Sequence, residues 1–413
     1  MKVRLFAVAA LVALLAVAAS TAASARPDRA AASKITVWLQ VDAQTGWPQL
    51  VAAANQQFQA KHPGTTVDVQ YQTWGDHLSK FDATLAGGNT PDVIEMGNTE
   101  MTKYMAAGAF ANLSSQKGSF ANAKNWLKGL AASGIYNGKT YGVPYYAGSR
   151  VVTYRSDLFR KAGAKIPTSL AQFTASAKRL KAKNSKKGFS PVYIAGTDWY
   201  FAMSFVYDFG GQIATLKHGK WVGSLESKKA KAGLAAYKRF FDAASRGSKT
   251  GTENRPFPYD VYSRGQAASI VGPAWFSCCV GKKYTKATKQ FVMPSHVKGQ
   301  GMPGFLGGSD LAVPAGSNDK SLATDWIRIF TSTASERGLQ AKGNIPNATN
   351  LLGNSVNERA AKRSWFVPTA KNWVNVENGN VLRTMLARIL TGKASIAQAT
   401  AFADSNIELT LNQ

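Results

Sequence analysis

Residues 35–98 run strand, helix, strand, helix, strand, and that order confines the chain to a sheet of the α/β type. Ile35-Thr36-Val37-Trp38-Leu39 is β-branched and apolar. Leu50, Ala54 and Phe58 then recur at helical spacing until His62-Pro63-Gly64 ends the helix. Val67-Asp68-Val69-Gln70-Tyr71 alternates as a strand does. Leu78, Phe81 and Leu85 line one side of a second helix, with Asp76 placed as N-cap and Gly87-Gly88 as terminator. Thr90-Pro91-Asp92-Val93-Ile94-Glu95-Met96-Gly97-Asn98 supplies the third strand. Repeated βαβ units predict an open parallel sheet, with ligands outside the carboxyl ends of its strands. The loops after Leu39, Tyr71 and Met96 are therefore the first place to look for a small-molecule cleft.

The N-terminus predicts where such a cleft works. Lys2 and Arg4 precede an apolar run from Leu5 to Ala19, and Ala23-Ser24-Ala25 follows as a small-residue cleavage site. This is the layout of a secretory signal peptide over residues 1–25, cleaved after Ala25, with a polar leader over 26–33. A membrane anchor wants about 20 apolar residues, more than this run contains. No cysteine near the cleavage site is available to carry a lipid. The expected location is extracytoplasmic, secreted or associated with the cell surface. The rest of the 413 residues exceed one ordinary core and suit two domains.

Formal net charge is +27, or +25 once Lys2 and Arg4 leave with the signal peptide. Basic clusters at Lys178–Lys187, Lys228–Lys231 and Lys282–Lys289 suit either an anionic partner, such as wall polymer or lipid headgroups, or simply solvated helix faces. The stripe Leu170, Phe173, Ala177 and Leu180 leaves the first cluster on the outer side of a helix, which favours solvation for the individual lysines. No nucleic-acid motif accompanies the charge, and none is expected in an exported chain. Cys278 and Cys279 stand side by side. A trans peptide holds their Cα atoms about 3.8 Å apart, closer than most disulfides allow, so two thiols are the favoured expectation. His62, His77, His218 and His296 lack metal-ligand spacing, and no nucleophile elbow or phosphate loop is present. The expectation is no cofactor, no metal and no catalytic residue. A secreted glycoside hydrolase, with a carboxylate pair brought together only by folding, is the alternative.

The alternation continues downstream. Tyr141-Gly142-Val143-Pro144-Tyr145-Tyr146 leads into the strand Val151-Val152-Thr153-Tyr154. Apolar stripes at Ala230, Leu234, Tyr237 and Phe241, at Leu322, Trp326 and Ile329, and at Val381, Met385 and Ile389 predict helices, the last closed by Gly392. Ser269-Ile270-Val271-Gly272-Pro273-Ala274-Trp275 reads as a buried strand breaking into a loop that bears an aromatic. In their joint order, from about Lys34 to the C-terminus, these blocks resemble the extracellular sugar-binding proteins of ABC importers, the group that includes maltose-binding protein. The matching pieces are Ile35–Trp38, Leu85–Val93, Tyr141–Pro144, Tyr154-Arg155-Ser156-Asp157-Leu158, Phe209-Gly210-Gly211, Gly272–Trp275, Gly307–Ser317 and Gly343-Asn344-Ile345-Pro346.

That resemblance implies a two-lobed, periplasmic-binding-protein-like fold of type II. Each lobe is an α/β sandwich, and the ligand cleft lies at the hinge. It implies lobe one over 34–146 plus 308–346 and lobe two over 147–307 plus 347–413, with crossings near Ala147–Arg150, Phe305–Ser309 and Asn347–Leu352. It further implies a monomer that closes on a di- or oligosaccharide, of which chitobiose is one candidate, and presents it to a membrane permease. A pyranose wants flat aromatics against its C–H faces and planar polar groups at its rim. Trp275 stands where relatives place a stacking tryptophan, and Asp198-Trp199 at another cleft position. Asn98 and Glu100 follow the third strand, and Asp42, Gln44 and Trp47 the first. Arg150 lies at a crossing, and Gly308-Ser309 offers close backbone approach. Trp74 and Trp373 are more ordinary aromatics by the same reading.

Overall fold

The computed structural model describes residues 33–253 and 255–413; the expected signal peptide and most of the expected leader lie outside the described residues. The first strand, Lys34–Gln40, pairs in parallel with Thr66–Gln72 on one side and with Val93–Gly97 on the other. Between them run the helices Pro48–Lys61 and His77–Gly87. Pro48 begins the first of these, where its missing N–H costs nothing, and Gly88 ends the second at φ +73°. Asp76 occupies the N-cap position but does not cap. Its carboxylate accepts from Thr73 Oγ1 at 2.6 Å and pairs with Lys80 at 2.9 Å instead.

The expected parallel sheet is in fact mixed. The strand Gly304–Ala312, from late in the chain, lies antiparallel to Val93–Gly97 and to the long strand Gly142–Arg155. The one β-branched run in that long strand is Val151–Thr153; Gly148 and Ser149 in its middle give no such signal. Along it the partners change. Residues 142–149 pair with Gly304–Ala312, whereas 150–154 pair with Ser269–Pro273 and 152–155 with Thr288–Phe291.

Two cores flank this exchange. One gathers Ile35, Val37, Leu39, Phe58, Trp326 and Phe330 against the first strands, extended by Phe81, Tyr104 and Phe110. The other gathers Phe173, Phe205, Tyr237, Phe240, Trp373 and Met385 beyond the exchange. The fold is the two-lobed type II arrangement, with strands passing from lobe to lobe and the cleft at their crossing. In the helix Leu170–Ala182, Phe173, Ala177 and Leu180 are buried while Lys178 and Lys181 are exposed, so this basic run is a solvated face. Cys279 is disulfide-bonded, which overturns the expectation of two thiols.

Candidate functional site

Three loops converge at the carboxyl ends of the first lobe's strands. Asp42 lies in the first turn of the helix Val41–Gly46, Trp74 follows the second strand, and Asn98–Glu100 follow the third. Trp74 Nε1 donates to Asp42 Oδ2 at 2.6 Å, and its ring meets His77 edge-on at 5.3 Å. Glu100 accepts from the Gly97 amide at 2.9 Å and lies 2.9 Å from His77 Nε2. Although burial opposes a charged imidazole, Glu100 holds the His77 pKa above its ordinary value. A Cβ at Gly97 would stand 2.7 Å from Glu100 Oε2, so a larger residue there would push that carboxylate aside. Asn98 ties this loop to the hinge: its amide donates to Gly308 O and its Nδ2 to Leu306 O, each at 2.9 Å. A Cβ on Gly308 would lie 2.1 Å from Tyr146 O, so only glycine allows the two hinge strands to approach this closely.

The second lobe supplies the opposite wall. Arg150 is the first residue after the exchange of strand partners, and its register partner Pro273 places Trp275 just beyond it. Its guanidinium lies 3.6 Å from Asp198 and 4.5 Å from the centre of the Tyr200 ring, while its Nε is buried without a partner. Asp198 caps the helix Trp199–Asp208 by accepting from the Phe201 amide. Burial raises its pKa, and Arg150 offsets part of that rise. Arg383 grips Glu253 with two 2.6 Å hydrogen bonds, and despite burial this fork holds the Glu253 carboxyl below its ordinary range. Trp275 is 55% exposed.

Where the lobes meet, the helix Trp373–Asn378 packs against Met101–Ala106, and Glu377 comes within reach of Thr99 and Glu100. Burial raises the Glu377 carboxyl to about 7, opposed by the indole N–H of Trp373 and reinforced by the Glu100 charge. At the floor, Glu95 is buried and accepts from the Gln40 amide at 2.9 Å. Burial lifts its pKa to about 7 against that bond.

Of the residues singled out in the sequence, Asp42, Asn98, Glu100, Arg150, Asp198 and Gly308 lie where the strands end or exchange partners, and Trp275 lies two residues beyond Pro273, the partner of Arg150. Ser309 is buried beside Tyr146 on the adjacent strand. Trp199 is buried, stacked on Tyr200 at 3.9 Å and packed near Trp365 and Trp373. Trp47 is buried as well, with its Nε1 donating to Tyr145 Oη at 2.6 Å. Gln44 is exposed on its short helix. Trp373 is core, whereas Trp74 is 43% exposed at the cleft wall. The rule that ligands sit after the strands already contained Trp74, since it follows Tyr71. Glu253, Glu377 and Arg383 carry no local signal, because their partners lie far away in the chain. A separate cavity of about 690 Å³ opens between Leu127–Gly129 and Lys362–Phe366, and none of the singled-out residues lines it. Among the described residues, no His, Cys, Asp and Glu group has the arrangement of a metal site, and no helix is long and apolar enough to cross a membrane.

Two lobes joined by shared hinge strands, with polar side chains gathered where those strands end and exchange, define a solute receptor. Residues 39–337 match the family model of the bacterial extracellular solute-binding proteins, and the chain belongs to that family. Its sugar-binding members serve ABC importers. The chain is 30% identical over 381 residues to the diacetylchitobiose binding protein DasA of Streptomyces coelicolor, covering 89% of this chain and 87% of the relative. It is 25% identical over 344 residues to a lactose-binding protein of Rhizobium radiobacter, covering 75% and 73%. Among solved structures, the GacH receptor of Streptomyces glaucescens superposes with a TM-score of 0.77 at 20% identity, covering 92% of this chain and 98% of that one. The sugar-binding protein MalE of Xanthomonas citri gives 0.77 at 18%, covering 92% and 97%.

Proposed function

We propose that this protein is the extracytoplasmic carbohydrate-binding component of an ABC importer. It captures a di- or oligosaccharide between its lobes and delivers it to a membrane permease without altering it. The observation that carries this reading is the set of polar groups gathered where the strands end and exchange, Asp42 and Glu100 from the first lobe and Arg150 and Asp198 from the second, with the exposed tryptophans Trp74 and Trp275 on the two lobes. Their faces suit the C–H surfaces of a pyranose, and Asp42, Glu100, Arg150 and Asp198 suit its hydroxyls. The likeness to DasA favours a chitobiose-like ligand. The two separate cores support lobe boundaries at 146/147 and 307/308, whereas Ala348 and Leu351 pack in the first core and argue for a third crossing beyond Leu351 rather than at 346/347.

Calorimetry against N,N′-diacetylchitobiose, maltose and lactose tests the reading, with product analysis after long incubation. Reversible binding of intact sugar is expected; sugar-dependent cleavage returns the protein to the hydrolases. Trp275→Ala should keep native circular dichroism and lose about 2 kcal/mol of binding, more than roughly tenfold in affinity. Unchanged affinity would remove Trp275 from the site. The surface charge suits attraction to anionic wall polymers or lipid headgroups and should matter only for retention. Retention is then expected to fall steeply as salt screens it beyond about 8–10 Å, leaving sugar affinity unchanged.

A further inference from the structure

We infer that the cavity between Leu127–Gly129 and Lys362–Phe366 is a second ligand site, for a small amphiphilic anion: an apolar body bearing a sulfonate, carboxylate or phosphate. The inference goes beyond the carbohydrate reading and does not rest on it, because none of the residues assigned to the sugar lines this cavity. Its volume, about 690 Å³, is in the range of pockets that bury most of a small organic ligand.

The floor is apolar and belongs to the hinge. Leu127, Leu306 and Ala361 are members of one small buried cluster, distinct from the cores of the two lobes, with Leu352 packed against it, and all four line the cavity. Leu306 lies on the strand Gly304–Ala312, so the strand that gives its side chain to this floor also gives its carbonyl to Asn98. Pro303, Tyr207, Trp365 and Phe366 continue the apolar lining into the second lobe. Trp365 Nε1 donates to Ser204 Oγ at 3.0 Å and Tyr207 Oη to Phe366 O at 3.1 Å. With their donors satisfied inside the protein, these two rings bring hydrocarbon to the lining.

The charged part of the lining is all of one sign. Lys128, Lys362 and Arg363 line the cavity, and no Asp or Glu does. Both lysines are exposed, and among the described residues neither ammonium has a hydrogen bond or an ion pair. Arg363 is held in place, its Nη1 donating to Gln300 Oε1 and to Gly301 O, each at 2.7 Å. Asp208 lies 3.9 Å from the same nitrogen but already accepts from Ser295 Oγ at 2.6 Å and from the His296 amide at 2.8 Å, and its Oδ2 lies 2.7 Å from His296 Nδ1. A guanidinium fixed in this way offers its remaining N–H groups as a fork for paired anionic oxygens. Lysines elsewhere, such as Lys178 and Lys181, stand on a solvated helix face. Here the cations border an apolar hollow, and the combination selects a ligand that has both parts.

The test uses two fluorescent probes that share one apolar body and differ by the anionic group, anilinonaphthalene sulfonate and neutral phenylnaphthylamine, titrated into the full mature protein. The sulfonate should bind at a single site, at least roughly tenfold tighter than the amine. Lys128→Gln with Lys362→Gln should bring the two affinities within about threefold, whereas the same loss of charge at Lys178 and Lys181 should leave them unchanged. Ser364→Trp puts a large ring into the cavity from an exposed position and should abolish binding of both probes. Melting curves check that the variants are folded, and the paired lysine variant, at two exposed positions, decides the matter if Ser364→Trp is unstable. Several equivalent sites, equal affinity for the two probes, or a sulfonate preference untouched by the paired lysine variant would overturn the site.

Discussion

Asp310→Asn is expected to abolish a fall in folding stability, on the order of 3–4 kcal/mol, that the wild-type protein suffers between about pH 4 and pH 7. Asp310 lies on the hinge strand with no solvent contact, one residue past Ser309, where the register with the long strand shifts. Burial raises its pKa from 3.8 to about 7. The hydrogen bonding agrees. Ser133 Oγ lies 2.6 Å from both Leu130 O and Asp310 Oδ2. A hydroxyl has one proton and a carbonyl can only accept, so both contacts are met when Asp310 is protonated and donates to Ser133. Between pH 4 and 7 the folded protein thus holds a proton that the unfolded chain has released, and stability drops as pH rises. An amide at this position still donates to Ser133 and cannot ionise. Denaturant titrations at pH 4.5 and 8 measure the effect, and equal pH dependence in wild type and variant would sink it.

Arg150→Met should cost on the order of 3 kcal/mol of stability at pH 8 and also weaken sugar binding. The loss comes less from the cation than from Asp198, whose buried carboxylate is left without its neighbour. Because Asp198 already has a raised pKa, it can protonate in the variant, so the cost should shrink as pH is lowered. Arg150→Met with Asp198→Asn should recover most of the stability but not the sugar affinity, since the guanidinium is missing from both variants. A double variant no more stable than Arg150→Met alone would show that the pair is not the source.

The βαβ pattern of residues 35–98 was legible because each element shows its own period: β-branched alternation, then a stripe at helical spacing, then a stop at Pro63-Gly64 or Gly87-Gly88. The helices through Leu234, Trp326 and Met385 were legible for the same reason. The antiparallel strand Gly304–Ala312 was not read from period, because Gly307, Gly308 and Ser309 hold its middle, and it was placed only through family resemblance. The cleft divides likewise. Residues immediately after strands, such as Asp42, Asn98 and Glu100, follow from the topology of the sheet. Trp199 and Trp47 show the limit of reading aromatics: the same ring serves a sugar or a core, and only packing tells which. Glu253, Arg383 and Glu377 are brought to the cleft by contacts between distant segments, for which neighbouring residues give no sign.

The placement of Gly304–Ala312 between Val93–Gly97 and Gly142–Arg155 also bears on how the molecule comes into being. As the chain emerges from its N-terminus, the first three strands and the long strand are available well before the one that joins them. Until roughly three quarters of the polypeptide has appeared, both flanking strands carry open edges, the kind of surface that pairs with wrong partners. The protein cannot complete its first lobe piecemeal. It must wait, unfinished, until its late strand arrives to close the sheet.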